Sequence, residues 1–215
     1  MSDEEPEMIE APEPPHQPHG TGIRWFDLGI TLTLVLVSLG SLYVALHTGS
    51  TMEKMVEQNA RLVRANSTPL LVVDHGNLSD SGEKQLVFSL TNSGTGPARV
   101  VWVEVRHQGR PVVNGQKLIA AVAGGNTGVT FVSSKIAPSM LVAGQSRDFL
   151  KWKRPADSDA GGQTAWKALD AARWKLVFEA CYCSVFDECW TSTLSADVPA
   201  PVKSCDPKGR TSYKG

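Results

Sequence analysis

From Leu28 to Leu46 the chain reads LGITLTLVLVSLGSLYVAL, nineteen residues without a charge. At about 1.5 Å of rise per helical residue such a run covers roughly 28 Å, close to the hydrocarbon thickness of a bilayer. Its polar members Thr31, Thr33, Ser38 and Ser41 are small and can bond back to a helical backbone. Trp25, Phe26 and Tyr43 stand near its ends, where interfacial aromatic residues gather. A cleaved signal peptide needs a basic leader, a shorter apolar core and a small-x-small cleavage site. Here the first 23 residues hold six acidic side chains and no Lys or Arg, and His47-Thr48-Gly49-Ser50 follows the run. The pattern predicts an uncleaved single-pass anchor. With no Asp, Glu, Lys, Arg or His between Leu28 and Leu46, it has nothing to line a transport path.

After the anchor the period is helical. In TMEKMVEQNARLVRA (51–65), Met52, Met55, Val56, Asn59, Leu62 and Val63 recur every three or four residues and share one face. This predicts a helix continuing out of the membrane, with weak self-association through Met52, Met55, Val56 and Leu62 or packing on a neighbouring surface. Pro69 disfavours helical geometry in the residue before it and ends the run.

Beyond Pro69 the period falls to two. Strands are expected at 70–73, at 85–91 with Leu86, Phe88 and Leu90 on one face, and at 100–107 with Val101, Val103 and Val105 opposite Trp102, Glu104 and Arg106. Further strands are expected at 117–122, 129–133 and 145–152, and one helix at 163–172 with Trp166 and Leu169 inward. A last hairpin pairs 173–186, with Trp174, Leu176 and Phe178 alternating, against 189–194. Gln108-Gly109-Arg110-Pro111 and Asn92-Ser93-Gly94-Thr95-Gly96-Pro97 are dense turn chemistry.

The expected fold class is therefore mainly β. Its parts are a disordered acidic tail (1–23), a transmembrane helix (24–48), a juxtamembrane helix (49–67), an antiparallel immunoglobulin-like β-sandwich with one short helix (68–197), and a flexible tail (198–215). The stretch LVFSLTNSGTGPARVVWV (86–103), with Asn92-x-Gly94-x-Gly96-Pro97-Ala98, resembles a strand–turn–strand of bacterial single-pass membrane proteins with an immunoglobulin-like extracytoplasmic domain. It spans under a tenth of the chain and implies the fold, not an activity.

Charge refines the picture. The overall balance of −1 joins an acidic tail to residues 50–215, which carry 20 basic and 15 acidic side chains. The densest basic cluster, Lys151, Lys153 and Arg154, falls short of a continuous basic face interleaved with aromatics, so no nucleic-acid partner is expected. Positive charge near the anchor is one residue before it (Arg24) and three after (Lys54, Arg61, Arg64), which taken literally would keep the domain in the cytoplasm.

The cysteines argue the other way. Cys181, Cys183, Cys189 and Cys205 all lie in the last 35 residues, an even and clustered count typical of exported disulfide-bonded domains. Of the three possible pairings the preferred one is Cys183–Cys189, closing a short loop, with Cys181–Cys205 pinning the tail. Trp190 is placed to pack on a bridge. The expected location is thus a bacterial inner membrane, with the N-terminus cytoplasmic and the domain periplasmic.

Catalytic patterns are sparse. Gly94-Thr95-Gly96 and Gly124-Gly125-Asn126 lack the Lys-Ser/Thr of a phosphate loop. His75, in Asp74-His75-Gly76, and His107 read as surface histidines near turns, and Asp187-Glu188 as a turn pair. Asn66-Ser67-Thr68 and Asn77-Leu78-Ser79 match the glycan acceptor pattern, which is too common to be informative. No enzyme, catalytic residue, metal site or cofactor is expected. The expected function is a membrane-anchored β-sandwich module that binds another envelope protein. A thiol-redox or copper-handling protein using Cys181 and Cys183 is the alternative.

Overall fold

The structure, a computed structural model, describes residues 24–125 and 128–215. The expected disordered tail and Asn126 lie outside them. Two compact units emerge, one through Gln58 and one from Asn59 onward.

The described part of the first unit is helical. Helix α1 (Arg24–Ala65) runs 42 residues without a break, so the expected transmembrane and juxtamembrane helices are one element. It is long and apolar enough to cross a membrane, with an 18-residue window of mean hydropathy 2.0, and none of that window is buried in protein. Thr33 and Ser38 donate to the carbonyls of Gly29 and Leu34, four residues back, at 2.6 and 2.8 Å, and Thr31 does the same to Asp27. Polar side chains are thereby satisfied without a partner outside the helix. Met52, Met55, Val56 and Leu62 are exposed.

The second unit is built on two antiparallel sheets. Its strands are β1 (Leu71–Leu78), β2 (Lys84–Asn92), β3 (Ala98–His107), β4 (Arg110–Val112), β5 (Val132–Ser133), β6 (Ser139–Leu141), β7 (Ser146–Lys153), β8 (Leu176–Cys183), β9 (Cys189–Ser192) and β10 (Ala200–Val202). One sheet has the order β1-β2-β7-β5; the other is β10-β9-β8-β3-β4, with β6 also on β3. Leu86, Phe88 and Leu90 are fully buried, as their alternation predicted. One core takes side chains from both sheets. At its centre Phe149 of β7 meets Phe88 (ring centroids 6.0 Å apart), Phe178 (6.3 Å) and Tyr213 (5.5 Å).

Strand β3 departs from simple alternation. A register shift between Val100 and Trp102 makes Val101 a bulge residue. Ala98 and Val100 before it and Val103 and Val105 after it all reach the core, whereas Trp102 is buried outside that cluster. The expected grouping of Val101 with Val103 and Val105 fails at the bulge.

Helix α2 (Gly115–Ala123) replaces the strand expected at 117–122. Asn114 caps it, its Oδ1 accepting from Lys117 N–H at 2.9 Å, and Gly124 ends it at φ 77°. Leu118 and Ile119 are its buried side. Helix α3 (Ala160–Ala172) contains the expected helix and buries Trp166 and Leu169. A 3₁₀ turn (Arg173–Lys175) then precedes β8, so Trp174 is 70% exposed and not aligned with buried Leu176 and Phe178.

The motif at 92–97 does more than turn the chain. Asn92 is fully buried, and its side chain makes four hydrogen bonds. Oδ1 accepts from Leu70 N–H (3.3 Å) and Gly94 N–H (3.1 Å), while Nδ2 donates to the carbonyls of Gly96 (2.9 Å) and Leu141 (3.1 Å). One amide thus ties the segment before β1 and its own loop to β6 of the other sheet. Gly94 and Gly96 allow this approach, because a Cβ there would lie 2.3 Å from Leu70 N and 2.1 Å from Ser67 O.

Strand β1 edges its sheet, and the loop after β9 covers part of that edge. Leu194, held at φ 59°, aims its carbonyl at Val73 N–H (2.9 Å), and Arg173 donates to the carbonyl of His75 at 3.4 Å.

Candidate functional site

The sulfur chemistry sits at the end of β8. Alternation places Cys181 and Cys183 on the same side of that strand, and Cys189 opens β9 directly opposite Cys183. Cys183 is bridged to Cys189 and Cys181 to Cys205. The loop between the first pair is held by Ser184 N–H to Glu188 O (2.8 Å), with Asp187 at φ 58°. The two bridges are adjacent. Cys183 Sγ lies 3.7 Å from Cys205 Sγ, and the sulfurs of Cys183, Cys189 and Cys205 all lie within 4.8 Å of one another. In the bridged state none of them carries the thiolate charge that a metal ligand needs. Trp190 is partly buried with its ring 6.1 Å from Tyr182.

Residues 198–215, expected as a flexible tail, are fastened to the domain. Strand β3 is paired by β6 at Ala98–Val100 and by β4 only from Val105, which leaves a gap between them. Tyr213 fills it, its N–H bonded to Val103 O at 2.7 Å and its ring fully buried. Lys214 N–H reaches Val113 O at 2.7 Å, and Thr211 N–H donates to the buried carboxylate of Glu104 at 3.0 Å. Arg210 joins Glu179 at 3.1 Å and lies 4.6 Å over the Trp102 ring. Glu179 also holds Arg106 at 3.2 Å, and Arg106 pairs with Glu104. Pairing by single residues across a strand gap leaves no hydrophobic period to read, so sequence reasoning missed this element. Beside it a groove of about 570 Å³ is lined by Val101, Trp102, Lys135, Pro138 and Lys214.

His75 lies inside β1, facing the 3₁₀ turn, and not on a turn itself. Its Nδ1 is 3.2 Å from Arg173, whose guanidinium is 2.9 Å from Asp170 and stacks on Trp174 at 4.6 Å. Trp174 also meets the His75 ring edge-on at 4.7 Å, and Asn77 donates to Asp170 at 3.4 Å. Because arginine only donates, His75 Nδ1 accepts and the proton sits on Nε2. A cavity of about 270 Å³ opens here, lined also by Thr193 and Ser195.

Burial first, then the Arg173 charge, holds the His75 pKa below its ordinary 6.5. The unfolded chain therefore takes up the proton that the native state refuses, so this contribution is intact above about pH 6.5 and lost as the pH falls below it. The expected result is a urea midpoint that drops between pH 7.5 and 5.5, and drops less in His75→Gln. An equal drop in both proteins would assign the loss to other groups.

The remaining sequence candidates serve local structure. His107 ends β3 before a turn with Gln108 at φ 51° and Gly109 at φ 77°. Asp187 pairs with Arg99, and Glu188 lies 3.8 Å from Arg64. The basic cluster is matched by acids, with Lys151 on Asp148 (3.6 Å), Lys153 on Glu83 (3.3 Å) and Arg154 on Asp157 (3.1 Å). No family model matches the chain, and no curated protein or solved structure is detectably similar to it.

Proposed function

We propose that the protein is a membrane-anchored, immunoglobulin-like β-sandwich of the bacterial cell envelope that binds another envelope protein. The observation that carries this reading is a 42-residue helix with a fully exposed apolar window, followed in the same chain by a β-domain with its own core. An exposed run of that hydropathy is stable in lipid and costly in water. The strand order supports the fold. Lettered A to G, β1, β2, β7 and β5 follow A-B-E-D, and β9, β8 and β3 follow G-F-C, the two sheets of a constant-type immunoglobulin domain. The bridges lie between β8 and its neighbours in the chain, not between B and F as in antibody domains. The bridged cysteines favour an oxidising compartment, hence a domain outside and an N-terminus inside.

Two measurements test the reading. Intact cells treated with a membrane-impermeant thiol reagent are expected to label the chain only after reduction. Labelling that requires broken membranes would place the domain in the cytoplasm. Crosslinking in native membranes is then expected to capture a discrete protein neighbour or, through Met52, Met55, Val56 and Leu62, a second copy. Recovery of uncrosslinked monomer alone would overturn the binding role.

A further inference from the structure

We infer that the four cysteines form a thiol–disulfide exchange relay, in which Cys183 passes from Cys189 to Cys205 when the domain meets a dithiol. This activity goes beyond a passive binding role and stands on the geometry of two neighbouring bridges. Cys183 Sγ is already 3.7 Å from Cys205 Sγ, close to the approach at which intramolecular reactions gain most from held orientation. Cys181 and Cys183 face the same way two residues apart on β8, so Cys205 can be bound by either with a small shift along the strand. Between Cys205 and the anchored Arg210, residues 206–209 are exposed, so the backbone there can shift without displacing a packed side chain.

Access sets the direction. Cys181 and Cys183 are 1% and 2% exposed, Cys189 is 7% exposed at the mouth of its hairpin loop, and Cys205 is half-buried. Within the Cys183–Cys189 bridge an external thiolate therefore meets Cys189 before Cys183, and Cys205, more exposed than either, is the competing point of entry. It attacks Cys189 Sγ, forming a mixed disulfide and expelling Cys183 as a thiolate. Cys183 attacks Cys205 Sγ, the Cys183–Cys205 bond forms, and Cys181 leaves and takes up a proton. The second thiolate of the dithiol then attacks its own sulfur in the mixed disulfide and releases Cys189, which is protonated. The dithiol ends as a disulfide. Its two electrons and two protons end on the thiols of Cys181 and Cys189, and one bridge, Cys183–Cys205, remains. Run backwards, the same steps reduce an incoming disulfide. The partner class is thus a dithiol carrier protein, and dithiothreitol serves as the probe.

The test uses the full chain in its membranes. Brief exposure to dithiothreitol, acid quenching, alkylation and peptide mapping identify the species with two thiols. The expected species carries Cys183–Cys205 with label on Cys181 and Cys189, in more than half of the two-thiol molecules. Label on Cys183 and Cys189 with Cys181–Cys205 intact, label on Cys181 and Cys205 with Cys183–Cys189 intact, or direct passage to four thiols, overturns the relay. A Cys189→Ser chain, which leaves Cys183 unpaired from the start, is expected to show Cys183–Cys205 with Cys181 labelled. Cys181–Cys205 alone in that variant also overturns it. Neither result bears on whether a neighbour is crosslinked, so the relay and the binding role fail separately.

Discussion

Asn92→Leu is expected to destabilise the β-domain by about 3–4 kcal/mol, lowering its thermal midpoint by about 10 °C. Leu has the same number and branching of side-chain heavy atoms as Asn, so the larger part of the loss is hydrogen bonding and a smaller part is the extra room its two methyl groups need at a fully buried site. The substitution strands the N–H groups of Leu70 and Gly94 and the carbonyls of Gly96 and Leu141, all of which the amide now satisfies. Each stranded group buried from water costs about 1–3 kcal/mol, and partial access of water to the loop keeps the total below their sum. Ser93→Ala, next door on an exposed side chain, is the control and is expected to stay within about 0.5 kcal/mol. Thermal unfolding followed by tryptophan fluorescence measures both. A midpoint for Asn92→Leu equal to the control would show that the four bonds contribute nothing net.

Tyr213→Ala is expected to cost about 3–5 kcal/mol, the range for truncating a fully buried aromatic side chain. Tyr213 touches Phe149 at the centre of the core, so its removal opens a void there and not at the rim. Tyr213→Phe keeps the ring and is expected to lie within about 1 kcal/mol of the parent. Urea titration of the full chain in detergent distinguishes the two. If both variants matched the parent, the tail would be a surface appendage and its backbone bonds to Val103 and Val113 incidental.

These two residues also mark the boundary of what pattern could reveal. Leu86, Phe88 and Leu90 were legible because a half-buried strand must alternate. The run at 117–122 was not, because Lys117 is the one polar residue of KLIAAV and the five apolar residues after it show neither a period of two nor one of 3.6. Its caps, Asn114 and Gly124, were the stronger signal. Asn92, Gly94 and Gly96 were legible as turn chemistry, yet their role depends on Leu70 and Leu141, which no local window contains. The same holds for His75, whose partners Arg173 and Trp174 lie about a hundred residues away in sequence. The cysteines stood out by clustering, whereas the 3.7 Å approach of one bridge to the other follows only from how the tail is seated.

The covered edge of β1 has a consequence for crowding. An eight-residue strand with free amides and carbonyls is a template on which another chain can add a strand and start a fibre. Here Leu194 occupies the amide of Val73 and Arg173 the carbonyl of His75, so an incoming strand must first displace both. Copies packed densely beside one another therefore remain separate molecules along that edge, and their tendency to aggregate is set by how firmly one loop and one guanidinium stay in place.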